Sequence, residues 1–304
     1  MDGWHILEIR GARDVPGYVP ADVGRGMSVQ TYRREVLGDW TASAGKVVYP
    51  EYGDMHESLQ ALPYDPSRPL LCGWDLPAAT GGTPAFVASQ LTVAGQWLLY
   101  GSVQPLESET VGVWDFAERV AYWLRREFAE PAGCEVADLA MVHYGDPAGA
   151  QRALGGKMSA ATELKSAFDI IRDGEKIETG PGQYVERVGW GWDIIPGEVS
   201  LTARLEAVRT RLMVNVLGGP AVLLDPGALV LREGFRGGYH YHQRSDGRYE
   251  LDPAKNKYSH PFDALSYVAS RIFLHPARED PQVAYLRSLP RPGAASRGGR
   301  VRGR

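Results

Sequence analysis

Three short apolar runs follow one another between Pro69 and Val103, separated by glycine-bearing turns. The runs are Pro69 to Asp75, Phe86 to Val93 and Trp97 to Val103; Gly81-Gly82 and Ala94-Gly95 lie between them. Runs this short, bounded this closely, predict strands joined by hairpins, that is, an antiparallel meander. After it the period changes. Phe116, Val120, Leu124 and Phe128 recur every four residues and predict a helix. Val136 to Tyr144 reads as a strand, Leu201 to Val216 as a helix, Ala221 to Leu224 as a strand, and Tyr239 to Leu251 as a hairpin turning at Ser245-Asp246-Gly247. Ser259 or His260 caps a final helix with Pro261 in its first turn and Phe262, Leu265, Ala269 and Ile272 on its apolar side. Strands first, then alternating helices and strands, predict an α/β fold: a mixed sheet, antiparallel meander followed by parallel strands, flanked by helices.

Composition sets the limits. Of 304 residues, 44% are hydrophobic and 23% charged, enough for a buried core in a globular chain. Cys72 and Cys134 have no metal-ligand spacing and make no disulfide framework. No secretory signal opens the chain and no apolar run reaches the ~20 residues of a membrane span, so no membrane partner is expected. The formal net charge of -4 means that any nucleic-acid contact must come from a local basic surface. Two stretches qualify. Arg232, Arg236, Arg244, Arg248, Lys255 and Lys257 gather around the expected hairpin, and beyond Leu289 arginines are spread among Gly, Pro, Ser and Ala with no acid. The first pattern is either a solvated face or a phosphate-tracking ribbon; the second reads as a disordered basic tail. The expected organisation is a linker over 1–35, including a short strand Trp4 to Ile9, a globular domain over 36–288 entered by a helix from Ser28 to Trp40, and the tail over 289–304.

Three aspartates are placed for chemistry. Asp75 ends the first strand of the meander, Asp146 follows the later strand, and Asp263 lies in the first turn of the last helix. Each alone has an ordinary explanation: an Asp before Pro forms turns, and an Asp in a first helical turn complements the macrodipole. Together they suit hard divalent cations, which prefer oxygen donors. His260, three residues before Asp263, is either a helix cap or a contact to the site or to DNA. His240 and His242 share one strand face, as metal ligands can and as solvated or DNA-facing residues more often do. Asp225 is a fourth acid or the start of an ordinary Asp-Pro-Gly turn. Trp190 and Trp192 read as packing residues.

The order of several segments resembles a known family. Tyr32-Arg33-Arg34-Glu35-Val36-Leu37-Gly38-Asp39-Trp40 and Gly45-Lys46-Val47-Val48-Tyr49-Pro50-Glu51-Tyr52 look like the linker into the nuclease domain of phage large terminase subunits. Gly73-Trp74-Asp75 and Tyr144 to Arg152 are similar to its first two metal-ligand segments. Glu233 to Tyr241 is similar to the loop and hairpin before the last helix, and Lys255 to Tyr267 to the closing motif with the third ligand. The resemblance covers roughly residues 30 to 275.

What the resemblance implies is an RNase H-like, RuvC-type fold, two Mg²⁺ or Mn²⁺ ions held by Asp75, Asp146 and Asp263, and endonucleolytic cleavage of concatemeric double-stranded viral DNA during packaging. Asp75 would bridge the ions. The implied partners are double-stranded DNA, a terminase ATPase motor domain, the small terminase subunit and the portal, in the host cytoplasm. No Gly-x-x-x-x-Gly-Lys-Ser/Thr loop occurs; Gly45-Lys46-Val47 and Gly155-Gly156-Lys157-Met158 both lack the hydroxyl, so no ATPase activity is expected of these residues. Two alternatives stay open: a Holliday-junction resolvase or RNase H-type nuclease, since a fold does not fix its substrate, and a non-catalytic DNA-gripping module of a packaging motor.

Overall fold

The computed structural model describes residues 46–76, 83–106, 109–147, 159–173 and 194–274. Its strands are β1 (Lys46–Val47), β2 (Leu70–Asp75), β3 (Ala85–Leu91), β4 (Trp97–Val103), β5 (Met141–Gly145), β6 (Ile194–Pro196), β7 (Asn215–Val216), β8 (Gly219–Pro220), β9 (Val222–Leu224), β10 (His240–Gln243) and β11 (Tyr249–Pro253). The main helices are α1 (Val113–Leu124), α2 (Ala160–Asp173), α3 (Leu201–Leu212), α4 (Leu229–Glu233) and α5 (Ser259–Ala269). Six strands form one sheet in the order β6-β5-β2-β3-β4-β9. β2, β3 and β4 are the antiparallel meander, and β5, β6 and β9 add to it in parallel. This is the mixed α/β sheet that the sequence predicts.

The two-residue period of β2 divides its side chains between two cores. Leu70, Cys72 and Trp74 are buried with Phe116, Val120 and Leu124 of α1 and Leu164 of α2. Leu71 belongs to the opposite core, with Leu205 and Val208 of α3 and Leu265 and Val268 of α5. Gly73 and Asp75 therefore share the face that α5 covers. In β5 the same alternation sends Val142 and Tyr144 to the α5 side.

On the opposite side, Trp74 Nε1 donates to His143 Nδ1 at 3.0 Å. An indole N–H only donates, so Nδ1 is the unprotonated nitrogen. Full burial pushes the imidazole pKa down to about 3. The unfolded chain then binds a proton between about pH 6.5 and 3 that the folded chain refuses, so stability falls as the pH drops through that window. Between pH 7.5 and 5 the expected loss from His143 is about 2 kcal/mol. His143→Gln, compared with the parent in denaturant melts at the two pH values, should remove that increment; an unchanged pH dependence would show that His143 does not contribute it.

Several expectations change. Val136 to Tyr144 is not one strand: Val136–Asp138 is a 3-10 turn, with the Asp138 carboxylate accepting from the Glu135 N–H at 3.1 Å, and the strand begins at Met141. The helix expected to reach Val216 stops at Leu212, because Leu217 and Gly218 both take positive φ (53° and 81°) and turn the chain between β7 and β8. α2 and β6 carried no expectation. For α2 a signal was available: Ser159 Oγ accepts from the Thr162 N–H ahead of Leu164, Ala167 and Phe168. The expected strand Trp4 to Ile9, the helix Ser28 to Trp40, the segment Ala148 to Arg152, Trp190 and Trp192, the 1–35 linker and the 289–304 tail lie outside the described residues. Among the described residues, no helix is long and apolar enough to cross a membrane.

Candidate active site

β2 and β5 run parallel with Trp74 opposite Gly145. Asp75 and Asp146 are each one residue further on, so both stand at the carboxyl ends of neighbouring parallel strands, where open α/β sheets place their ligands. By the alternation of each strand they belong to the side covered by α5, which carries Asp263.

Close packing brings α5 there. A Cβ built on Gly73 would stand 2.3 Å from the Ala264 carbonyl oxygen and 2.9 Å from Val268 Cγ2. Glycine at 73 is what lets the helix lie against the strand that ends in Asp75. We expect Gly73→Ala to cost about 3 kcal/mol or more, since overpacking against backbone cannot relax by a rotamer change. A variant with parental melting temperature would contradict this packing.

Sequence-local bonds set the start of α5. Asn256 Oδ1 accepts from the Tyr258 N–H at 3.0 Å, and Ser259 Oγ accepts from the Asn256 N–H at 3.1 Å. Ser259 is the first helical residue rather than the cap, which puts Asp263 one turn inside the helix. Phe262, beside it, is buried among Phe235, Tyr239 and Tyr49, with ring centroids 4.7, 4.8 and 5.6 Å away. Those contacts tie the Gly234–Tyr239 turn and the segment after β1 to the helix that presents Asp263.

The acids share a local field. Burial raises the Asp75 pKa above the usual carboxylate value. The hydrogen bond from His260 opposes this, and the negative charges of Asp263 and Asp146 add to it. Burial likewise raises the Tyr267 phenol; Arg204 opposes, and Asp146, Asp75 and Asp263 each add. Donors offset the acids: His260 Nδ1 donates to Asp75 Oδ2 at 2.7 Å, and two cations reach Asp263, Arg204 Nη1 donating to Oδ1 at 3.1 Å and Lys255 Nζ to Oδ2 at 3.2 Å. Among the described residues, no three His, Cys, Asp or Glu side chains stand together as a ready-made metal cage. The donor chemistry suits a hard divalent cation, but Asp263 has both oxygens engaged by cationic side chains.

The expected basic residues separate into groups. Arg244 and Arg248 are exposed around the β10–β11 turn. Lys255 and His260 face the acids. Lys257 lies 3.7 Å from Glu233 and over the Tyr258 ring. Arg232 and Arg236 both pair with Glu57, whose side chain is only 6% exposed, and Arg236 Nε donates to Glu57 Oε1 at 2.7 Å. Their guanidiniums hold the segment after β1 to the sheet edge, where Glu57 bridges Leu224. His240 Nδ1 bonds the Gly238 carbonyl and His242 is exposed. Asp225 makes its turn: Oδ1 accepts from the Gly227 N–H and Oδ2 from the Leu62 N–H, both at 2.7 Å. Sequence reasoning missed Arg204, which only its contact with Asp263 singles out, and Glu57, whose partners are remote in sequence.

No family model and no curated protein matches the sequence. Solved structures similar to the chain include large terminases and their nuclease domains. A large terminase from a thermophilic bacteriophage has a TM-score of 0.46 and 17% identity, covering 85% of this chain and 53% of that one. The P22 large terminase nuclease domain gives 0.43 and 13%, covering 75% and 93%. The large terminase nuclease from thermophilic phage G20c with bound magnesium gives 0.41 and 12%, covering 75% and 98%. The chain thus spans about half the length of the first of these terminases.

Proposed function

We propose that the chain is a metal-dependent DNA endonuclease of the large-terminase type, cutting double-stranded viral DNA during packaging with Asp75, Asp146 and Asp263 as its acidic residues. The observation that carries this reading is the juxtaposition of Asp75 and Asp146 at the ends of adjacent parallel strands, with α5 bringing Asp263 against the same face. Carboxylate oxygens at such a place would hold Mg²⁺ or Mn²⁺. The chemistry two such ions supply when bound is activation of a water and stabilisation of the leaving 3′-oxygen.

The chain's own residues do the rest. The His260 N–H fixes the Asp75 carboxylate, so one of its oxygens has a set direction. Arg244 and Arg248, exposed at the β10–β11 turn, with Lys255 and Lys257 before α5, would supply sequence-independent phosphate contacts leading to Asp263. The expected partners beyond DNA are a terminase ATPase motor, the small subunit and the portal, in the host cytoplasm.

Cleavage of plasmid duplex, a four-way junction and an RNA–DNA hybrid, each in Mn²⁺ and in EDTA, tests the proposal. Mn²⁺-dependent nicking and linearisation of duplex is expected. Preference for the junction or hybrid would reassign the chain to a resolvase or RNase H, and DNA binding without any cleavage would make it a gripping module.

A further inference from the structure

Resting on that reading, we infer that the two cations on Asp263 have different jobs: Arg204 is a fixed positioning residue, and Lys255 is an exchangeable occupant of the oxygen that a divalent metal needs. Arg204 is 8% exposed on α3. Its Nη1 donates to Asp263 Oδ1 and, at 2.9 Å, to Ser266 Oγ, one turn further along α5. Ser266 Oγ in turn donates to the Asp263 backbone carbonyl at 2.7 Å. The guanidinium also lies over the Tyr267 ring, 4.3 Å from its centroid. A planar guanidinium gripped on three sides cannot leave without unpairing a buried carboxylate, so it sets which way Asp263 points.

Lys255 is the opposite case. Its side chain is 76% exposed, and its ammonium donates to the Asp263 carboxylate on Oδ2. Its long side chain keeps its freedom in water and makes a single contact here, so this ammonium is the more easily displaced of the two. It can swing away when a divalent ion takes Oδ2, and its freed charge then lies next to the expected path of a DNA phosphate.

The test is Mn²⁺ binding to the full chain without DNA, followed by the loss of the free-ion electron paramagnetic resonance signal. Removing one unit of positive charge at either position should act in opposite directions. Lys255→Met should tighten Mn²⁺ binding about two- to fivefold, the scale of an exposed ion pair. Arg204→Met should weaken it about tenfold or more, as losing the group that orients a metal ligand does. Should Arg204→Met not fold, Arg204→Lys keeps the charge, loses the shared donor geometry, and should also weaken binding. Tightening by both would make Arg204 merely a second competing charge, and no change in Lys255→Met would remove the exchange; either result overturns the inference while leaving the nuclease reading intact. Absence of Mn²⁺ binding by the parent chain would instead sink the nuclease reading, and this inference with it.

Discussion

Asp75→Asn is expected to lower Mn²⁺-dependent cleavage of duplex DNA by about a thousandfold or more, the rate equivalent of several kcal/mol of lost metal assistance. Asparagine keeps the shape and still accepts the His260 hydrogen bond, so the β2–α5 packing should survive. The apo protein should melt at the same temperature or higher. Asp75 is largely buried, and burial together with the charges of Asp263 and Asp146 disfavours its ionised form, so a neutral amide relieves part of that cost. Circular dichroism melts beside the nicking assay separate the two effects. Retained Mn²⁺-dependent nicking in a folded Asp75→Asn protein would remove Asp75 from the mechanism, and a collapse in melting temperature would make its role structural.

The second large effect lies away from the acids. Glu57→Gln should destabilise the fold by about 2–4 kcal/mol, somewhat below the loss for a fully buried ion pair because Arg236 is 39% exposed. The carboxylate is nearly buried and receives Arg232, Arg236 and the Tyr52 hydroxyl, the last at 2.9 Å. Burial works against its charge; the hydrogen bonds from Arg236, Arg232 and Tyr52 outweigh burial and hold its pKa below the usual value. Glutamine leaves two guanidiniums beside a neutral amide. DNA affinity measured well below the melting temperature should not change, because these arginines act on Glu57. A Glu57→Gln protein with parental stability and altered DNA affinity would restore Arg232 and Arg236 to the DNA surface.

What the sequence made legible follows from how local each signal is. The meander is written in three apolar runs with turns between them, and β2, β3 and β4 appear where those runs predict. Asp75 and Asp146 could be singled out because they stand at strand ends, where a sheet gathers side chains from distant parts of the chain; Asp263, expected in the first turn of the last helix, lies one turn inside it. Arg204 had no such mark: on the sequence it is one of several charges on a helix, and only the packing of α3 on α5 gives it Asp263. Glu57 is similar, since its partners Arg232 and Arg236 lie 175 and 179 positions away. The basic residues from Arg232 to Lys257 looked like one surface by spacing, yet they divide between an ion-pair anchor and an exposed turn. β6 is three residues long and ends in Pro196, too short for any periodicity to register.

Whether these carboxylates make one divalent-metal site is decided by counting Mn²⁺ ions bound to the parent chain and to Asp75→Asn in the absence of DNA. Saturable binding of up to two ions by the parent and loss of that binding in the variant are expected. Equal binding by both proteins would contradict such a site, as would a parent chain that leaves the free Mn²⁺ signal undiminished.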